Sequence, residues 1–263
     1  MDRVGVFPFG EPVLRLVQTN RNKKRLFVLG VYASAVHARW VGEDSRQKIG
    51  AVAVASEPEI FWRGSQDAAR EIIAAIKLPA GAGHLAPASA QLNGPSGKAL
   101  DDLFLQPLGL SRDDAWLCDL VPHSCMNENQ ALALQREYEP VQESLGLPAY
   151  HWPSLPRELA NSDRRADIER ELVDSGAEVL LTLGDQPLKW FTQHYGTAAD
   201  LSAYGKTPAQ YGRLHSVTVA ERKLLLLPLV HPRQAARLGT HSVGWAGLHD
   251  AWVANPPADV SFA

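Results

Sequence analysis

Four short runs of apolar residues, rich in valine and leucine, stand out along the chain. They occupy residues 25–31, 116–121, 178–184 and 223–230. None of them alternates between polar and apolar positions, so each is typical of a parallel strand that is covered on both faces. Two shorter runs, at 51–55 and 214–219, predict accessory strands in hairpins.

Between these runs, apolar residues recur every three or four positions, as they do on a helix that buries one face. Residues 67–77, 97–108, 164–176 and 186–195 follow this spacing. Strands that alternate with helices predict βαβ units. We therefore predict an α/β fold, a three-layer α/β/α sandwich around a central four-stranded, mostly parallel sheet. The pattern has no break that demands a boundary, so residues 1–263 are predicted to form a single domain.

Composition limits the classes of protein that fit this pattern. The chain has 263 residues, of which 45% are hydrophobic and 21% charged, which is ordinary for a globular protein. Its formal net charge of −3 excludes a protein that coats DNA by overall basicity, but leaves room for a local basic stripe. No run reaches the roughly 18 apolar residues of a membrane span, and the first 25 residues hold no continuous apolar segment. We therefore expect no membrane association and a cytoplasmic protein.

The sequence gives little support to cofactor chemistry. Cys118 and Cys125 are the two cysteines, too few for an iron–sulfur cluster or a four-cysteine zinc site. Gly30 is not followed by the further glycines of a dinucleotide-binding fingerprint, and the lysine with serine or threonine of a P-loop is missing. The histidines form no pair four residues apart on a recognisable helix. We predict no cofactor and no metal.

Polar and aromatic residues follow the first and the last of the four strand patterns. The first runs into residues 29–37, LGVYASAVH, which predict a glycine turn at Gly30 with a helix after it. The last ends in His231, Pro232 and Arg233. Because ligands of open α/β sheets bind at the carboxyl ends of the strands, these two ends predict a binding site.

The middle of the chain adds two motifs. Residues 92–104, LNGPSGKALDDLF, form a glycine and proline turn that opens a helix, and a strand with Asp119 follows. The motifs stand, in order, at residues 30–37, 94–103, 116–127, 181–184 and 231–237. This order resembles that of the uracil-DNA glycosylase superfamily and covers about residues 25–252. The resemblance implies DNA, duplex or single-stranded, as the partner, and hydrolysis of the N-glycosidic bond of a base that is flipped out of the helix. We expect a monomer.

Three features depart from the pattern of that superfamily. Its members usually carry Asp or Asn two residues after the glycine, to handle the attacking water, whereas this chain has Tyr32 followed by Ala33. The residue that reads uracil is usually an amide, and here it is Asp119. The cysteines that hold an iron–sulfur cluster in some branches are absent. The identity of the base is therefore open between uracil and a modified, cytosine-type base.

The resemblance implies roles for the residues at the two strand ends. Cleavage leaves a negative charge on the departing base, which His231 would stabilise by a hydrogen bond, unless His231 is a structural histidine at a strand end before a proline. Gly30 and Tyr32 would bind substrate, with Tyr32 stacked on the flipped base or sugar, unless Tyr32 is a core aromatic. His37, on the helix expected after the turn, is a candidate base that positions water, or else a surface residue.

Asp119 carries a hypothesis about the substrate. An ionised carboxylate only accepts hydrogen bonds, so it would favour an exocyclic amine, as on cytosine or adenine, over the N–H of uracil. Two alternatives stay open: Asp119 is the general base, or it anchors a loop or caps a helix.

The remaining candidates lie on loops beside these strands. His123 and Asn127 would line the pocket or touch DNA. Arg233 and Arg237 flank the His-Pro turn, Arg237 on the first turn of a helix, and would bind phosphates or else be solvated. We therefore predict a DNA glycosylase, active in repair or in the excision of modified bases from foreign DNA in phage defence. The alternatives are a non-catalytic DNA- or base-binding protein on the same fold and a hydrolase of free nucleosides.

Overall fold

The computed structural model describes residues 2–238 and 243–256, and the chain divides into two compact units. The first unit consists of Met1–Leu16, Tyr32–Pro95 and Pro122–Pro156, and the second of Val17–Val31, Ser96–Val121 and Arg157–Ala263. A compact unit is not in itself a folding domain, so a single domain over the whole chain stays a prediction.

Ten strands are described. They are β1 (Arg3–Val6), β2 (Pro12–Leu14), β3 (Leu26–Tyr32), β4 (Ala35–Val41), β5 (Gln47–Ser56), β6 (His84–Pro87), β7 (Ala115–Val121), β8 (Val179–Leu183), β9 (His215–Val219) and β10 (Arg222–Leu229). The α-helices are α1 (Gln66–Ala74), α2 (Pro95–Leu100), α3 (Glu128–Glu137), α4 (Ser162–Ser175), α5 (Asp185–Trp190), α6 (Pro232–Ala235) and α7 (Val243–Ala254). A π-helix, Asp101–Leu105, continues α2.

The second unit is built on a five-stranded, mostly parallel sheet in the order β7–β3–β8–β10–β9. Strand β8 pairs in parallel with β3 on one side and β10 on the other, so that Val179 lies opposite both Leu26 and Leu225. Every residue of β7 and β8 is buried, which explains why their sequences do not alternate. Helices α4 and α5 pack against β7 and β8. The α/β class is thus confirmed.

The sheet has five strands where the sequence predicted four. The four predicted runs are confirmed as β3, β7, β8 and β10, and all of them lie in this sheet. The fifth strand is β9, the predicted accessory run, which pairs antiparallel with β10. Ala220 and Glu221 connect the two with positive φ values of 49° and 62°, as in a type I′ hairpin turn. Because neither is glycine, asparagine or aspartate, the turn carries no local signal that would place β9 in the central sheet.

The first unit contains a three-stranded antiparallel sheet, in the order β5–β4–β6, and the hairpin of β1 with β2. Helices α1 and α3 contact this sheet. Its core includes an aromatic cluster in which the ring of Phe9 lies 5.5 Å from Trp40 and 5.2 Å from Tyr138. The accessory strand predicted at 51–55 is confirmed as part of β5.

The segment after Gly30 differs from the prediction. Gly30 lies inside β3 without a positive φ, so there is no glycine turn. Residues 35–41 form strand β4 and not a helix, because Ala38 and Trp40 are buried while Arg39 between them is exposed. Pairing with β5 and β6 satisfies the backbone of β4 from both sides, which outweighs local helix propensity.

The predicted helices are largely confirmed. Helices α1 and α4 match the patterns at 67–77 and 164–176, and Gly176 ends α4 in the left-handed conformation with φ 70°. The pattern at 97–108 covers α2, the π-helix and a short 3₁₀ turn, and that at 186–195 covers α5 and another 3₁₀ turn. Helices α3 and α7 match none of the four predicted patterns. None of the helices described is long and apolar enough to cross a membrane.

Candidate active site

His231 begins the turn that follows strand β10. It is the N-cap of α6, and its carbonyl accepts hydrogen bonds from the backbone N–H groups of Gln234 (2.8 Å) and Ala235 (3.1 Å). Pro232, at the first helical position, has no N–H that would need a partner. The His231 side chain completes the cap, because Nδ1 accepts the backbone N–H of Arg233 at 3.2 Å.

These contacts also fix the protonation state of the imidazole. Burial, with a smaller contribution from the charge of Arg233, lowers the pKa of His231 to about 4, so the ring is neutral at pH 7. A backbone N–H can only donate, so Nδ1 carries no proton and Nε2 carries one. Nε2 has no hydrogen-bond partner among the residues that the structure describes. His231 therefore offers a ligand a neutral N–H donor.

Gly184 places the end of the neighbouring strand β8 against His231. Its φ of 83° and ψ of −169° are open essentially to glycine alone. Its N–H donates to the carbonyl of Leu229, the last residue of β10, at 2.7 Å. A Cβ at this position would lie 3.3 Å from the Cβ of His231. The glycine that ends the motif at 181–184 is thus adjacent to the His-Pro turn.

Asp119 is a buried carboxyl group inside strand β7, with 3% of the residue exposed. Its position in the strand excludes a role as a helix cap. The carboxyl group has no hydrogen-bond partner within residues 2–238 and 243–256. Burial raises the pKa of Asp119 to about 7, against a lowering by the charge of Arg164 and with a further rise from Glu171. Near neutral pH, Asp119 is therefore present in both its protonated and its ionised form.

Arg164, which the sequence analysis missed, holds the backbone beside Asp119. From helix α4, its Nη2 donates to the carbonyl oxygen of Asp119 at 2.6 Å and lies 3.1 Å from Sγ of Cys118. Its Nη1 pairs with Glu171 at 3.1 Å. The guanidinium thus fastens α4 to β7 without neutralising the Asp119 side chain. These partners lie seven to 46 residues away along the chain, so no local motif reveals them.

Tyr32 and His37, two candidate site residues of the first unit, both lie on strands and not in the predicted turn and helix. Tyr32 is the last residue of β3 and is 48% exposed, which excludes the alternative of a core aromatic. His37 lies on strand β4, and both ring nitrogens are engaged. Gln130 donates its amide N–H to Nε2 at 3.3 Å, so Nδ1 carries the proton and donates to the carbonyl of Ala35 at 2.8 Å. Asn93, also missed from the sequence, brackets the backbone of His37 with bonds of 2.8 and 3.1 Å.

His123 and Asn127 also belong to the first unit. Asn127 is exposed and caps α3, since its side-chain oxygen accepts the N–H of Gln130 at 2.9 Å. Nδ1 of His123, which is partly buried, lies 3.1 Å from the carbonyl of Ser124. Asn127 thus has a structural role that the sequence analysis did not assign, and contact of either residue with DNA stays a prediction.

The two arginines of the His-Pro turn belong to the second unit. Arg237 does not lie on the first turn of a helix, because α6 ends at Ala235 and Arg237 adopts a left-handed φ of 56°. Its guanidinium is paired with Asp250 of α7 at 2.5 Å. Arg233 is partly buried and donates from Nη2 to the carbonyl of Leu238 at 3.3 Å. Both side chains therefore help to fix the turn.

The second unit thus holds Gly30, Asp119, His231, Arg233 and Arg237, and the first unit holds Tyr32, His37, His123 and Asn127. Over the described part of the chain, no group of three or more His, Cys, Asp or Glu residues is arranged to hold a metal ion. Neither a scan against protein-family models nor a search of curated proteins finds a match.

Proposed function

We propose that the protein is a DNA glycosylase that hydrolyses the N-glycosidic bond of a flipped-out uracil or cytosine-type base. One observation carries the proposal: the neutral imidazole of His231 at the carboxyl end of β10, whose Nε2–H is accepted by none of the residues that the structure describes. When the C1′–N bond breaks, its electron pair stays on the base and the charge spreads to a carbonyl oxygen, while water gives its hydroxyl to C1′ and its proton finally to the base anion. A donor already held in place stabilises that charge without gaining or losing a proton first.

Asp119 supports a role in reading the base. Its protonated form has one donor and one acceptor, the same pair that an amide offers to the N–H and carbonyl of uracil. Its ionised form only accepts, which suits an exocyclic amine. Strands β7 and β10 are the first and fourth of the sheet, about 14 Å apart. A flipped-out base between the side chains of Asp119 and His231 would fill the distance between these two strands.

The order of the motifs supports further proposals about the fold, the oligomeric state and the biological role of the protein. The sheet, with α4 and α5 packed against β7 and β8, supports a three-layer α/β/α arrangement of the uracil-DNA glycosylase type. We propose a monomer that acts on DNA in the cytoplasm. Repair is the first biological role, and excision of modified bases from foreign DNA is the second.

A cleavage assay tests the proposal on oligonucleotides that contain uracil, hypoxanthine, hydroxymethylcytosine or glycosylated cytosine, with alkali to cut at abasic sites. We expect abasic product from uracil or a cytosine-type base, and a loss of about 100-fold in single-turnover rate for His231→Ala. His194→Ala, at an exposed histidine of the same unit, is the matched control and should keep the full rate. If no oligonucleotide yields abasic product with enzyme in excess, the proposal fails.

A non-catalytic protein that binds DNA or a base is the second candidate function. Tyr32 favours it, because an exposed aromatic stands where the superfamily usually carries the residue that handles water. Such a protein would bind one of these oligonucleotides tightly and release no abasic site. Tyr32→Ala would then weaken binding by about 1–3 kcal/mol, the value of one stacked base.

A further inference from the structure

A fully buried histidine, His249, belongs to a chain of hydrogen bonds that ends one residue before the partly buried His231. Nε2 of His249 lies 2.9 Å from the carbonyl oxygen of Leu103, and Nδ1 lies 2.8 Å from the hydroxyl of Tyr211. That hydroxyl lies 3.0 Å from the backbone nitrogen of Val230. All of these residues belong to the second unit. These hydrogen bonds therefore link the π-helix to the backbone nitrogen of Val230, the residue that precedes His231.

Only one direction of donation satisfies this chain. The Leu103 carbonyl can only accept, so His249 donates from Nε2. Burial lowers the pKa of His249 to about 4, so the neutral ring has no proton on Nδ1, which accepts from the Tyr211 hydroxyl. The Tyr211 oxygen in turn accepts the N–H of Val230. No bond can reverse without breaking the next one.

Both ends of this series of hydrogen bonds are backbone groups, and one of them lies beyond the end of a strand. Val230 is buried and follows the last residue of β10, so its N–H needs a partner outside the strand. Leu103 lies in the π-helix, and its carbonyl oxygen accepts the Nε2–H of His249. The fold therefore uses Tyr211 where strand pairing ends and connects it through His249 to the π-helix.

The aromatic surroundings of His249 restrict its ring. Phe104 lies on it with ring centroids 4.3 Å apart, and Trp252 stacks at 5.3 Å. Trp252 is itself fixed by a hydrogen bond from Nε1 to the carbonyl of Gly212 at 3.2 Å. A ring packed in this way cannot turn over to exchange its two nitrogens, so the direction of the chain is maintained.

We propose that Tyr211 and His249 are positioning residues for His231. The Tyr211 hydroxyl accepts the N–H of Val230 and so fixes the direction in which the polypeptide leaves β10. The backbone N–H of Arg233 fixes the His231 imidazole from the other side. With both sides held, Nε2–H of His231 points in one direction. The catalytic consequence rests on the proposed function, whereas the positioning itself does not.

The substitution Tyr211→Phe tests the inference, because it keeps the ring and removes the hydroxyl. Tyr204→Phe is the matched control: the Tyr204 hydroxyl is buried and has no hydrogen-bond partner in the described part of the chain. In ¹⁵N NMR spectra at pH 7, we expect wild type and Tyr204→Phe to show His231 as a single Nε2–H tautomer. Tyr211→Phe should show shifts averaged over both tautomers. His249→Gln breaks the chain at its next link and serves where Tyr211→Phe does not fold.

Excision kinetics separate positioning from function. We expect the single-turnover rate of Tyr211→Phe to fall by about tenfold to 100-fold, with the Kd for DNA within about twofold of wild type. Unchanged His231 resonances in the folded variants would overturn the inference, and altered resonances with an unchanged rate would overturn its link to catalysis. Altered resonances in a protein that excises no base would uphold the positioning and overturn the proposed function.

Discussion

Burial displaces the pKa values of His231 and Asp119 in opposite directions, and in both cases it favours the uncharged form. The pKa of the imidazole falls to about 4, and that of the carboxyl group rises to about 7. The cause is shared, because a charge is less stable away from water. At pH 6 a bound base would therefore meet two neutral groups, one a donor and the other a donor and acceptor. Neither group depends on a neighbouring charge to play its part.

The pH dependence of excision should reflect the lowered pKa of His231. In an Asp119→Asn background, which removes the other titration, we expect a constant single-turnover rate between pH 8 and 5. Below that the rate should fall towards pH 4, because a proton on Nδ1 abolishes the acceptor for the Arg233 N–H. Rates measured at half-unit intervals test this. A decline centred near pH 6.5, the ordinary pKa of histidine, would contradict a neutral donor.

The preference for one base over another should depend on the protonation of Asp119. For wild type, we expect the rate on uracil relative to hydroxymethylcytosine to fall by about tenfold between pH 6 and pH 8, the value of one hydrogen bond. Asp119→Asn keeps a donor at every pH and should hold this ratio constant. Competition assays on mixed oligonucleotides measure the ratio, and Asp113→Asn, at an exposed carboxylate of the same unit, is the control. A ratio that changes equally in all three proteins would rule Asp119 out as the reader of the base.

At the scale of secondary structure, burial on both faces decides which elements the sequence reveals. Strands β7 and β8 are buried throughout, so their apolar runs identify them without knowledge of their neighbours. Strand β4 carries valines and a tryptophan in a short alternation, and it pairs with β5 across the turn at residues 42–46 and with the more distant β6. The pairing with β6 leaves no local trace, and the prediction of a helix overlooks the turn that makes β4 and β5 a hairpin.

The same distinction applies to the candidate site. His231 is accessible to sequence analysis because a buried strand, a histidine and a proline are consecutive. Its supports are not, because Tyr211 and His249 are 38 residues apart and Leu103 lies 146 residues before His249. Asp119 is visible as a polar residue in an apolar run, but its raised pKa depends on what surrounds it. A sequence thus identifies side chains at the ends of strands more readily than the distant residues that form hydrogen bonds with them.

The turn between β8 and α5 provides a prediction at this scale. Gly184→Ala forces a side chain into a conformation that costs about 1–3 kcal/mol and brings its Cβ to 3.3 Å from His231. We expect a lower Tm and a slower excision rate. Gly247→Ala, in helix α7, is the control: an added Cβ meets no atom of the described residues within 4 Å and favours the helix by up to about 1 kcal/mol. An unchanged Tm for Gly184→Ala would mean that this turn can rearrange.

For the whole molecule, the shifted groups combine into one dependence of stability on pH. His231 and His249 have folded pKa values of about 4, below the ordinary 6.5, so the unfolded chain binds more protons between these values. Their contribution to the free energy of unfolding is complete above pH 6.5 and is lost as the pH falls towards 4. The lowered pKa of His215 changes the free energy of unfolding in the same direction. Asp119 opposes them, since its raised pKa makes the folded state bind more protons between 3.8 and about 7.

Because two strongly shifted histidines outweigh one aspartate, we expect the free energy of unfolding to rise from pH 4 to 6.5 by about 1.4 kcal/mol per unit. The free energy of unfolding should then decline slightly between pH 6.5 and pH 7. Asp44, Asp114 and Asp200, with lowered pKa values, act below pH 3.8 and so outside this range.

Asp119→Asn removes the opposing contribution, so the rise should become about twice as steep and end in a plateau above pH 6.5. Urea denaturation between pH 4.5 and 8 measures both curves, and Asp113→Asn should follow wild type because its carboxylate is exposed. Parallel curves for Asp119→Asn and wild type would mean that Asp119 titrates normally in the folded protein. The base-reading role would then lose its protonated form, and an ionised carboxylate would leave only amino-bearing bases as substrates.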